Sequence, residues 1–237
     1  MFKYYYGVKS IAENHPTLNL SKNSIIAGIV LAILFPWLLS VFMLYLPLKP
    51  PVKVYASRFI FWSDVLLLWV YALKVEKQRL LIRTEKNSGI EFILASVGIL
   101  YLLALGAQII ASIPALFGYH ENNAVMRQIA ATVRGKPGLI IFISITAGVC
   151  EEVIFRGYVL TRLSLFFKNR YIPVVLSALL FSALHYKYNM PREYIFTFLI
   201  GMVFGLYYQN YGNIKPLIIA HFLIDVIGLT LSSHFLK

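Results

Sequence analysis

Long apolar runs separated by short charged segments set the pattern of this chain. Three runs, residues 24–46, 90–117 and 139–160, are long enough to cross a hydrocarbon core of about 30 Å, which takes about 20 helical residues. Four more, residues 59–73, 172–185, 194–208 and 216–231, are shorter or more polar. The pattern predicts an all-α fold, a polytopic transmembrane helix bundle of about seven spans, within a range of six to eight. Neither an internal repeat nor a low-complexity tract interrupts it. A polar stretch precedes the first run and no small-x-small site follows it, so the first span is expected to be a retained anchor.

The charges fall between the runs, in "LKPPVKVYASR", "KVEKQRLLIRTEKN", "RLSLFFKNR", "YGNIKP" and the polar stretch 120–138. Within that stretch "VMRQIAATV" is amphipathic and suited to the membrane interface. If the spans alternate, the basic amino terminus, residues 74–86 and residues 162–170 share one side, which the positive-inside rule makes cytoplasmic. Tyrosines at span ends, Tyr4 to Tyr6, Tyr207, Tyr208 and Tyr211, read as interfacial belts.

Composition agrees. The chain is 59% hydrophobic and 14% charged, with mean hydropathy +0.72, whereas soluble domains are about a quarter charged. A net charge of +12 with pI near 9.7 suggests nucleic acid only if the basic residues line one soluble face. Here they sit between spans, which fits topology signals and anionic headgroups, so no nucleic-acid partner is expected. The single Cys150 excludes an internal disulfide or a CxxC site and reads as a small packing residue.

Against that background several polar residues lie where each charge costs about 2.5 to 3.5 kcal/mol to insert. Glu152 and Arg156 are four apart and can pair on one helical face, while Glu151 points about 100° away, toward the face of Ala147, Gly148 and Phe155. The small residues there permit close approach of another helix or a substrate. This predicts a neutralised structural pair, Glu152 with Arg156, and a carboxylate, Glu151, free for chemistry. "FSALH" puts Phe181 and His185 on one face, and "HFLID" does the same for His221 and Asp225. The latter spacing suits a metal-ligand pair, a hydrogen-bonded couple or a proton relay. Asp64 and Glu91, near ends of apolar runs, either line the same cavity or reach the interface. His15, His120 and His234 fall in loops or near the terminus.

The series Glu151-Glu152-x-x-x-Arg156, Phe181-x-x-x-His185 and His221-x-x-x-Asp225, in that order on successive spans, resembles the CAAX-processing and bacteriocin-processing family (CPBP, or Abi) of intramembrane proteases over residues 139–231. The resemblance divides the chain into an N-terminal transmembrane region, 1–138, and a catalytic core, 139–237. It implies a multi-pass protein of the cell membrane that hydrolyses a peptide bond of a membrane protein or peptide, lipidated substrates included. Glu151 is then expected to activate water held by His185, with Glu152 and Arg156 shaping the site and His221 and Asp225 completing it or stabilising the oxyanion. The glutamate mechanism requires no cofactor. A metal scheme would instead place a divalent ion such as zinc on Glu151, His185 and His221. Asp225, unlike an Asn, donates to an oxyanion only when protonated; otherwise it orients His221. Two other readings use the same residues: a catalytically silent family member serving as a binding or immunity protein, and a proton-coupled transporter.

Overall fold

Each apolar run becomes a helix in the computed structural model, which describes residues 21–119 and 122–236. Helix α1, Lys22–Tyr45, starts at Ser21, whose hydroxyl accepts the Ser24 amide at 3.0 Å and so caps an otherwise unpaired donor. Helix α2, Pro50–Tyr71, opens on the Pro-Pro pair, since proline at the first helical positions forgoes an amide that would be unbonded anyway. The segment "LKPPVKVYASR", expected as a connection, is therefore largely helix, and this span begins nine residues before the predicted run. It ends in a π-helical turn, Ala72–Glu76. Helices α3, Ile90–Ala111, and α4, Ile113–Leu116, lead to the amphipathic α5, Ala124–Val133, which buries Ala130 and Val133.

Helix α6, Pro137–Thr146, runs on without a break through π-helical Ala147–Glu151 and Val153–Leu160 to Leu163. Helix α7, Tyr171–Ala183, tightens into a 3-10 segment, Leu184–Tyr188. Helix α8, Pro191–Tyr211, stops at Gly212, where φ of 65° gives the left-handed cap glycine accepts without strain. Helix α9 is Lys215–Phe235.

Four of these, Lys22–Met43, Ile90–Leu116, Pro137–Leu163 and Lys215–Phe235, are long and apolar enough to cross a bilayer. Helices α2 and α8 have comparable length with more polar faces, and Tyr171–Tyr186 is shorter. The protein is a multi-pass, all-helical membrane bundle. The α6 rod is its centre: 61% of its apolar window is buried, against 22% for α1 and α9. Apolar side chains such as Leu34, Phe42, Leu66, Leu102 and Ile109 cover the outside, as lipid requires.

A buried polar cluster locks the end of this rod. Arg162 donates to Glu76 at 2.7 Å and to the Leu80 and Arg79 carbonyls, and Tyr158 donates to the same carboxylate at 2.8 Å. Arg162, expected among the surface charges that set topology, is fully buried: five donors in a planar fork satisfy a carboxylate and two carbonyls at once. Tyr208, expected in an interfacial belt, also lies in the core, whereas Tyr211 packs on Tyr207 and Phe92. Tyr4 to Tyr6, His15 and His120 lie outside the described residues.

Candidate active site

The site forms where α6, α7 and α9 meet. Gly148 makes the closest crossing: a methyl group there would lie 2.9 Å from the Ile218 carbonyl oxygen and 3.2 Å from the Phe222 amide. Only a residue without a side chain lets α9 come this near, the close approach expected for Ala147 and Gly148. The crossing fixes His221 beside the two glutamates. On the other flank, Ser177 donates to the Phe155 carbonyl at 3.1 Å and draws α7 onto the rod.

Glu152 is the hub. It is fully buried, and its Oε1 accepts from Arg156 Nη1 at 2.8 Å and lies 2.7 Å from His221 Nδ1. The expected Glu152–Arg156 pair is therefore present, with a third member. Arg156, itself buried, rests over the faces of Phe181 at 4.5 Å and Phe204 at 5.3 Å, which the ring quadrupole favours. Because a carboxylate oxygen accepts only, His221 donates from Nδ1, which leaves Nε2 as the free nitrogen.

His221 Nε2 faces Glu151 at 3.9 Å and Asp225 at 3.8 Å. Asp225 is thus a neighbour of the ring beyond hydrogen-bonding distance, and it is Glu152 that orients His221. The separation of the two glutamates onto different faces also changes. The rod is π-helical here, so it turns less per residue than an α-helix and brings Glu151 and Glu152 to the same histidine. The two differ in engagement. Glu152 is held by two partners at zero side-chain exposure, whereas the Glu151 side chain keeps 11% of its surface open.

His185 joins through Phe181. Its Nδ1 lies 2.9 Å from the Phe181 carbonyl and donates to it, freeing Nε2. Its ring meets Phe181 edge-on at 4.9 Å, and Phe181 in turn lies 6.4 Å from the His221 ring, so one phenyl neighbours both imidazoles. Tyr188 stacks on His185 from the 3-10 segment at 5.8 Å. The six predicted residues, Glu151, Glu152, Arg156, His185, His221 and Asp225, are brought to one region, with His185 and Asp225 on its more open side.

Among the described residues no three His, Cys, Asp or Glu donors converge on a point that could hold a metal ion. In both His185 and His221 the Nδ1 is committed to a protein acceptor and Nε2 is left open, and Phe181 packs against both rings. Cys150 is buried in the core. Glu91 lies exposed in the first turn of α3, where a carboxylate suits the helix dipole, and is no part of the site. His234 bonds the Thr230 carbonyl in the last turn of α9.

Two residues of α2 were not among those the sequence singled out for catalysis. Asp64 is fully buried and neither of its carboxylate oxygens has a hydrogen-bond partner. Arg58 lies on the same helix, partly buried, with its guanidinium 5.2 Å over Phe61. The spacing of Arg58 from Val54, Phe61 and Val65 is the signal that could have found it once the helix was known to begin at Pro50.

Residues 134–227 match the family model described as type II CAAX prenyl endopeptidase Rce1-like. The chain is 32% identical over 89 residues to YpbD, an uncharacterized protein of Bacillus subtilis. That stretch is 37% of this chain and 42% of the Bacillus protein, so it spans less than half of the curated relative. No solved structure matches. The matched residues contain all six predicted site residues, from Glu151 to Asp225.

Proposed function

We propose, from an Rce1-like domain set in a multi-pass helical bundle, that this chain is an intramembrane endopeptidase of the glutamate type. The observation that carries the reading is the unequal engagement of the two adjacent carboxylates. Glu152 is held through Oε1 by both Arg156 and His221, while Glu151 has an open edge and no protein hydrogen bond, its nearest approach being 3.9 Å to His221.

In this reading Glu151 takes a proton from a water molecule whose oxygen attacks the scissile carbonyl. The same carboxyl then returns the proton to the leaving amine, so one group serves as base and acid. His185, through its free Nε2, holds the water. His221, donating to Glu152 at Nδ1, turns Nε2 toward the carbonyl; protonated there, it stabilises the tetrahedral oxyanion. Glu152 and Arg156 position His221 and balance the buried charge. Asp225 lies 3.8 Å from the same nitrogen. Each step runs through the chain's own side chains. The substrate class is a membrane-bound protein or peptide, lipidated ones included, whose scissile bond reaches the level of the glutamates.

The test compares new protein termini in native membranes from cells carrying wild type or Glu151→Gln at matched abundance. Termini made only by the wild type are the expected result. Their absence, with both proteins folded, would overturn the hydrolase reading in favour of a binding role.

A further inference from the structure

Two arginines meet at the end of the bundle where α7 begins and α8 finishes. Arg83, in the loop 77–89, donates from Nη1 to the Gln209 carbonyl at 2.7 Å. Arg170, the residue before α7, donates from Nη2 to Asn210 Oδ1 at 2.7 Å, and its own carbonyl accepts from Gln209 Nε2 at 2.9 Å. Two guanidiniums from different segments of the chain are therefore pinned to adjacent residues of α8, each by one nitrogen. Burial lowers the Arg83 pKa from the usual guanidinium range, and the charge of Arg170 lowers it further.

No acid balances this pair. Among the described residues neither arginine forms an ion pair, and Glu85, two residues from Arg83, is taken by Lys215 at 3.0 Å. Arg162, at the same end of the bundle, has Glu76; Arg83 and Arg170 have no such partner. Three polar atoms of the junction, Arg83 Nε, Arg170 Nε and Gln209 Oε1, are buried without a hydrogen-bond partner. Buried polar groups normally find partners and like charges repel, so these orphans mark a place that the chain alone leaves incomplete. Each arginine also keeps one terminal nitrogen, Nη2 of Arg83 and Nη1 of Arg170, that bonds nothing in the protein and is not sealed inside it.

Position decides which anion fits. Tyr171, whose ring lies 5.4 Å from the Arg170 guanidinium, is exposed at the start of its span, where aromatic rings sit at headgroup level. From there Ile172, Leu176 and Leu179 follow one face of α7 at four- and three-residue spacing; Ile172 and Leu179 are exposed and Leu176 is half-buried. Donors for a phosphate are thus continued by an apolar track into the hydrocarbon, which a soluble anion would not use.

We propose that Arg83 and Arg170 bind the headgroup phosphate of an anionic phospholipid whose acyl chains lie along Ile172, Leu176 and Leu179. The site sits at the end of α7 opposite His185 and does not depend on the peptidase reading.

Native mass spectrometry of the full-length protein, released from detergent with added dioleoyl phosphatidylglycerol or dioleoyl phosphatidylcholine, tests the proposal. One phosphatidylglycerol per chain should be held about tenfold or more tighter than phosphatidylcholine, from two charge-assisted contacts. Arg83→Gln/Arg170→Gln should bring phosphatidylglycerol down to the level of phosphatidylcholine. Lys74→Gln/Lys168→Gln removes the same charge from exposed neighbours at the same end and should leave the preference within about twofold of wild type. Where the glutamine pair loosens the fold, read from its unfolding midpoint in phosphatidylcholine, Arg83→Lys/Arg170→Lys takes its place: both charges stay, the planar forks go, and the preference should fall roughly threefold or more. Equal binding of the two lipids by the wild type would overturn the site. So would an equal loss in the lysine and arginine variants, which would show diffuse attraction to a basic surface. If inorganic phosphate raises the unfolding midpoint as much as phosphatidylglycerol does, the occupant is a soluble phosphate and the lipid assignment falls.

Discussion

Arg156→Met is the substitution whose outcome the structure specifies most tightly. It deletes the 2.8 Å partner of a carboxylate with zero exposure. Breaking a buried ion pair from one side costs about 3 to 5 kcal/mol, because the remaining charge stays buried and unpaired. Loss of the two ring faces under the guanidinium, at 4.5 and 5.3 Å, adds about 0.5 to 1 kcal/mol each. Against this, Glu152 keeps His221 at 2.7 Å, and an imidazolium there compensates part of the charge. A net loss of about 3 to 5 kcal/mol follows, which for a chain of this size lowers the thermal midpoint by on the order of 10 °C. Removing the other charge as well, in Glu152→Gln/Arg156→Met, should recover about 1.5 to 3 kcal/mol relative to the sum of the singles, since no orphaned charge remains. The assay is the four-member cycle of unfolding midpoints in one detergent, followed by tryptophan fluorescence, with Glu151→Gln as the comparison. Glu151 has no close partner to lose, so its neutral isostere should unfold within about 0.5 kcal/mol of wild type. Additivity of the Glu152 and Arg156 effects to within about 0.5 kcal/mol would refute the hub. So would a midpoint for Glu151→Gln as low as that of Arg156→Met.

Two further outcomes rest on single observations. Gly148→Val places a side chain against the Ile218 carbonyl and Phe222, so α9 must move out; we expect a loss of about 1 to 3 kcal/mol in unfolding measurements and cleavage reduced far more than the same loss elsewhere in the bundle produces, because His221 moves with the helix. Asp64→Leu removes a fully buried carboxylate whose oxygens have no partner, and should raise the unfolding midpoint by about 1 to 3 kcal/mol equivalent; a fall instead would show that Asp64 is paired in the membrane-embedded protein.

The bundle and much of the site could be read from the sequence because membrane burial makes every charge conspicuous. Glu151, Glu152, Arg156, His221 and Asp225 stood out against apolar runs, and four-residue spacing alone anticipated the Glu152–Arg156 contact. What could not be read follows from two kinds of information that spacing does not carry. The first is helix type. A 3.6-residue wheel separates the two glutamates, and nothing in "AGVCEEVIFRGYVL" announces π winding, so their shared histidine was invisible. The second is pairing between distant segments. Arg162 looked like a topology charge and proved to be the buried partner of Glu76; His221 looked like the partner of Asp225 and is held by Glu152, 69 residues away. Arg58 was hidden by a boundary: with the span begun at Phe59 it belonged to a loop, and with the helix begun at Pro50 it faces the core.

The two buried polar clusters on α6 divide the work of the rod. Glu76, Tyr158 and Arg162 at its far end make a closed set, with an arginine satisfied by a carboxylate and two carbonyls. The cluster around Glu152 is not closed: Glu152 Oε2 and Arg156 Nη2 have no hydrogen-bond partner, and His221 presents an unbonded nitrogen to Glu151 and Asp225. In a low-dielectric interior a half-satisfied network destabilises the fold relative to an apolar core, so a region built for stability alone would resemble the first cluster. Open valences of this kind are what a site needs if its remaining partners arrive with the substrate. The closed cluster then serves as the anchor. It fixes the rod to the 77–89 loop, so that the incompletely bonded middle of α6 holds its geometry before anything binds.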